Sequence, residues 1–129
     1  TPASGSVGPM GSIAIGISAG VVCYWASTSL KKALGYDDSF DVFGVHGVGG
    51  IVGALLTGVF AISADGAEMI KNQVSGQVIS VIVTIVWSGV VAFIAIKIAD
   101  VCCGGIRSSE DDETEGLDLA DHGEDGYQL

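Results

Sequence analysis

The sequence predicts an all-α integral membrane protein, and three observations carry that prediction. Apolar residues make up 49% of the 129 positions while charged residues make up only 16%. Three long apolar stretches, at about 10–30, 42–62 and 74–103, are separated by short polar breaks. Each stretch is long enough to cover the hydrocarbon layer, which takes about 20 helical residues. In lipid the backbone has to bond to itself, so such spans are helices. A short buried strand mimics one apolar run, but not three of this length.

The charge is confined to one end. The net charge is -10, yet nine of the fifteen acids fall between Glu110 and Asp125. The remainder is nearly balanced and offers no basic patch to phosphates, which argues against nucleic acid as a partner. The chain thus divides into a membrane domain, 1–104, and an acidic tail, 105–129. Its opening residues, Thr1-Pro-Ala-Ser-Gly, read as the middle of a longer protein, with neither an initiator methionine nor a signal peptide before them.

The first span runs from about Met10 to Leu30 and stops at Lys31 and Lys32. Ser12, Gly16 and Gly20 recur at every fourth residue along it, and Gly49 and Gly53 repeat the step in the second span. Small residues on one face let helices approach where lipid supplies no hydrophobic drive. The bland alternative is a glycine-rich helix without a specific partner. The second span follows Asp37, Asp38 and Asp41; Asp38 or Ser39 is placed to cap it, and Asp41 to sit against its positive end. Ser63-Ala64-Asp65-Gly66 has turn composition and opens a loop continuing through Asn72. The third span carries no charge until Lys97.

Lys31 and Lys32 follow the first span, Lys97 and Arg107 close the third, and Lys71 alone lies on the opposite side. Basic residues favour the cytoplasm, so the tail is expected there. Its run from Arg107 through Glu115 reads as a solvated linker. The mixed segment after it has the composition of a surface-docking element. Cys23, Cys102 and Cys103 lie in or at the end of apolar runs without zinc-site spacing, and are expected to fill space, with lipidation of the adjacent pair a remote alternative. No metal or cofactor site is expected. An enzyme is not expected either, because no nucleophile–base pair, carboxylate pair or phosphate-cradling loop can be assembled.

His46 is the ionisable group deepest in a span. Eight residues beyond Asp38 place it about 12 Å along a helix. An imidazole at that depth avoids lipid and turns to a helix interface or a water path. Burial disfavours charge, which makes it a neutral ring with one donor and one acceptor nitrogen. A purely structural hydrogen bond to a neighbouring helix explains it equally well. Val42, Gly49, Gly50 and Gly53 share its helical face by three- and four-residue steps, giving a narrow surface that suits close packing or the wall of a slim pore.

The run Asp41-Val-Phe-Gly-Val-His-Gly-Val-Gly-Gly-Ile-Val-Gly resembles a signature of the ammonium transporter family, relatives of the Rhesus glycoproteins. Thr1-Pro-Ala-Ser-Gly resembles the loop before that family's ninth helix, and Ile85-Val-Trp-Ser-Gly-Val-Val-Ala-Phe its last helix. Glu115-Gly-Leu-Asp and His122-Gly-Glu resemble its tail. The resemblance implies that the three spans are the last three helices of an eleven-helix bundle in a plasma-membrane homotrimer that carries ammonium or ammonia. It implies that His46 is the second of two pore histidines and that Val42 lines the cytoplasmic side of the path. Ammonium would lose its proton beside those histidines. The first histidine and the phenylalanine gate would belong to a preceding portion. It also implies that the tail, through Gly116, Leu117, Asp118, His122 and Gly123, packs beneath the pore and responds to PII-type signal proteins. An ammonium sensor or adaptor of the same fold is the alternative function.

Overall fold

The computed structural model describes residues 1–62, 66–124 and 126. The expected turn residues Ser63, Ala64 and Asp65 lie outside the described residues, as does the tail at 125 and 127–129. Contacts divide the chain into Thr1–Val86 and Trp87–Leu129, each taken by itself. The described residues are mostly helical and contain no strand beyond an isolated bridge between Val7 and Ala61.

Three helices are long and apolar enough to cross a membrane: α1, Pro9–Leu34; α2, Phe43–Phe60; and α3, Ala67–Cys103. At 1.5 Å per residue α1 rises about 39 Å, against a hydrocarbon core of about 30 Å. Proline at the first helical position starts α1, where its missing N–H costs nothing. Gly35 in the left-handed conformation ends it, sending its N–H back to the carbonyl of Lys31. Hydroxyls inside these helices bond their own backbone, as apolar surroundings demand. Ser18 donates to Ala14 O at 2.8 Å, and the buried Thr57 donates to Gly53 O at 2.6 Å.

Asp38 caps α2. Its two carboxylate oxygens accept from Val42 N and Phe43 N, both at 2.8 Å. Asp41 lies just before the helix, not in its first turn, and has φ +54°, the one positive φ outside glycine among the described residues. Its carboxylate accepts from Lys31 at the end of α1, at 2.8 Å. Helical backbone therefore starts at Val42, the N-cap residue that leads into α2.

Helix α3 begins at Ala67 with Glu68 in its first turn, so residues 67–72, expected as loop, are helical. A carboxylate there complements the positive helix end. The helix buries none of its residues within this chain. The uncharged stretch between Lys71 and Lys97 rises about 39 Å, again enough to span the hydrocarbon layer.

In the second unit, left-handed Gly104 and Gly105 follow the end of α3. The acidic run then departs from the expected linker. Glu110–Glu115 forms a short helix, α4, and Leu117–His122 forms α5. Ser109 makes α4 possible: its Oγ accepts from Asp112 N and donates to the Asp112 carboxylate. Four acids in the first turn complement the helix dipole, and Arg107 donates two hydrogen bonds to Glu113 at 2.9 and 3.0 Å.

Candidate functional site

The site begins with an irregularity shared by α1 and α2, both in the first unit. Ala26–Leu30 of α1 and Phe43–Gly47 of α2 are wide π-helical turns. Lys31 N–H reaches back to Ala26 O, and Val48 N–H to Phe43 O, each a five-residue step. Single π turns inside α-helices are uncommon and gather at functional sites. Here the two lie against each other. Gly44 is buried, and a Cβ built on it would overlap Ser27 Oγ and come within 3.0 Å of Ser27 N. Only glycine permits that approach. One step further on, Cys23 Sγ donates to Val45 O at 3.6 Å, a long sulfur contact consistent with a weak donor.

His46 occupies the π turn of α2. Because the helix starts at Val42 and not at Asp38, the ring stands about 6 Å inside it, half the depth expected from the sequence. The physical reason is the left-handed backbone at Asp41, which no helix can continue through.

Beyond this junction a groove of about 720 Å³ lies between α1 and α2. Val45, His46, Gly49 and Gly50 supply its α2 wall. Ala19, Gly20 and Cys23 supply the α1 wall, and Thr1 and Pro2 complete the lining. The lining is largely apolar, and His46 is exposed within the chain itself. Of the residues singled out in the sequence, the structure brings His46, Gly49 and Gly50 together. Val42 is 53% exposed and stands apart from this lining. Gly53 is not in the lining either, although a Cβ there would meet Pro2, which is, at 3.0 Å. Gly49 faces Cys23 Sγ, whereas a Cβ on Gly50, Gly16 or Gly20 would meet nothing within 4 Å. Cys23, Ala19 and Val45 are additions of the tertiary structure. The four-residue step from Ala19 to Cys23 is the signal in the sequence that puts those two on one face.

In the second unit, Gly116 joins α4 to α5 with φ +106°, and Gly123 closes α5 with φ +63°. Gly123 N–H returns to Leu119 O and Glu124 N–H to Asp118 O. Leu117 is 42% exposed, and His122 stands in the last turn of α5. Among the described residues no three His, Cys, Asp or Glu side chains gather in a way that suits a metal ion.

Comparison with known proteins agrees with this architecture. The family model of the Ammonium Transporter Family matches residues 1–127. An ammonium transporter of Bacillus subtilis is 42% identical over 135 residues, covering 99% of this chain and 33% of the relative. An ammonium transporter of Aquifex aeolicus is 43% identical, covering 100% of the chain and 31% of the relative. Ammonium transporter 1 of Dictyostelium discoideum is 37% identical over 98% of the chain and 29% of its own length. The chain thus spans about a third of the length of the curated relatives it matches. A match along nearly all of its residues, on a scaffold of three apolar helices, makes this chain a member of the ammonium transporter family.

Proposed function

We propose that this chain forms one wall of an ammonium-conducting path in a complete transporter, with His46 supplying a neutral imidazole to that path. The observation that carries the proposal is the placement of His46 in a π turn along an apolar groove between α1 and α2.

The energetics favour a neutral cargo within such a groove. Moving a bare ion of ammonium size from water into a dry medium costs on the order of 20 kcal/mol in the idealised Born limit. Ammonia carries no charge and escapes that cost. A path that recognises ammonium at its mouth and removes a proton therefore rejects potassium, which has none to give. An imidazole with one donor and one acceptor nitrogen offers ammonia a hydrogen-bond site and the proton a relay. Val45, Gly49 and Gly50 leave the wall apolar around it. Val42, one turn before His46, lines the path on its cytoplasmic side.

The remaining elements take their roles from the same proposal. The complete protein is a homotrimer in the plasma membrane with its tail in the cytoplasm. The pairing of α4 and α5 through Gly116, with Leu117 and His122 on the second of them, serves as a docking element for a PII-type regulator. A sensor that signals through the tail is the competing function, and a flux measurement separates the two.

The test uses the complete protein in liposomes. Substitution His46→Ala is expected to reduce ammonium flux or to admit other cations, while the protein still inserts and folds. Wild-type flux and selectivity in that variant would remove His46 from the mechanism. A wild-type protein that carries no flux would favour the sensor.

A further inference from the structure

Where His46 lies depends on where α2 starts and how its first turn is rotated, and several contacts converge on that start. Asp38 caps the turn, and its carbonyl accepts from both Asp41 N and Lys31 Nζ. Asp41 holds a left-handed backbone that a residue with a side chain disfavours. Its carbonyl nevertheless accepts from Val45 N at 2.8 Å, so it begins the hydrogen bonding of the very turn that carries His46. Its carboxylate takes a hydrogen bond from Lys31 Nζ at 2.8 Å. Lys31 also closes the opposing π turn, because its own N–H reaches back to Ala26 O. Edge-on stacking of Tyr36 against Phe43, with centroids 5.5 Å apart, braces the same loop.

Resting on the transport proposal above, the geometry points to Lys31 and Asp41 as positioning residues for the conduction path. One ammonium group ties both ends of the turn from Asp38 to Asp41 to the end of α1. It thereby holds an otherwise disfavoured backbone and sets the two π turns in register. Lys31 and Asp41 do not line the groove. They act through the backbone of Val45 and His46.

Removing an ion pair that only stabilises the fold would lower thermal stability and leave each folded molecule conducting normally. Removing a positioning pair instead lowers the flux of the molecules that do fold, whatever it does to thermal stability. The decisive comparison is maximal ammonium flux per folded protein in liposomes, beside thermal unfolding, for the complete protein and its Lys31→Met and Asp41→Gly variants. Glycine removes the carboxylate but accepts the left-handed backbone freely, so that variant is expected to fold. Each single variant should lose maximal flux on the order of tenfold, as misplaced functional groups do. The double variant should fall no further, because the two residues act as one unit. Lys31→Arg should recover most of the loss, since its guanidinium can still pair with the carboxylate. Asp41→Asn, which tolerates the left-handed region, serves if Lys31→Met does not fold. Wild-type flux per folded protein in these variants, or additive losses in the double, would overturn the pair's role while leaving transport standing. A wild-type protein without flux would overturn the transport proposal, and the positioning role with it.

Discussion

Substitution of Gly44 by alanine tests whether the junction of the two π turns is a close-packed contact. An alanine Cβ would overlap Ser27 Oγ and lie 3.0 Å from Ser27 N and 3.1 Å from Ser27 Cα. The hydroxyl can turn away, but the backbone cannot, so α1 has to yield by a few tenths of an ångström. Overpacking of this kind costs about 1–3 kcal/mol. Against it stands the helix-forming gain of alanine over glycine, about 0.5–1 kcal/mol. At mid-range the cost of about 2 kcal/mol exceeds the gain of about 0.75 kcal/mol, leaving Gly44→Ala less stable by about 1 kcal/mol. Gly50→Ala is the control: among the described residues its Cβ would meet nothing within 4 Å, so it should be the more stable of the two variants, and the difference reports the Ser27 contact. Ser27→Gly placed on Gly44→Ala should restore only part of the loss, since the backbone atoms stay. Thermal unfolding of the complete protein in detergent measures all three. A Gly44→Ala protein as stable as wild type would refute the close contact, and with it the reason both helices keep their π turns side by side.

Other substitutions probe the elements around that junction. Asp38→Ala removes the acceptor for Val42 N and Phe43 N and should cost about 1–3 kcal/mol, read from the same unfolding transition. A loss below the error of that measurement would leave the cap without energetic consequence. Deleting 115–129 should change the regulation or rate of flux while membrane insertion is retained, checked by fractionation and by flux with and without a PII-type protein. Unchanged flux and an unchanged response would make the tail dispensable.

Much of this protein is legible without coordinates because lipid imposes a coarse requirement. An uncharged run of sufficient length has to become a helix, whatever its neighbours are. The three spans and the membrane class therefore follow from composition and length. His46 stands out for a similar reason, as an ionisable ring where such groups are rare. Asp38 is recognisable as a cap because a carboxylate before an apolar run accepts the free N–H groups of a helix start.

Other features depend on which side chains from distant segments arrive together. No local pattern announces the two π turns; they lie where Ser27 and Gly44 pack against each other. The four-residue steps of small residues make Gly16, Gly20, Gly49 and Gly53 look alike, yet among the described residues a Cβ would meet another segment at Gly49 and Gly53 and not at Gly16 or Gly20. The acidic run after Arg107 reads as linker until Ser109 and Glu113 find their partners. Hydrophobicity is a property each residue carries by itself, so sequence was enough to establish the membrane helices. The register between α1 and α2, the left-handed Asp41 and the groove beside His46 arise from contacts between residues far apart in the chain, and only the tertiary structure decided them.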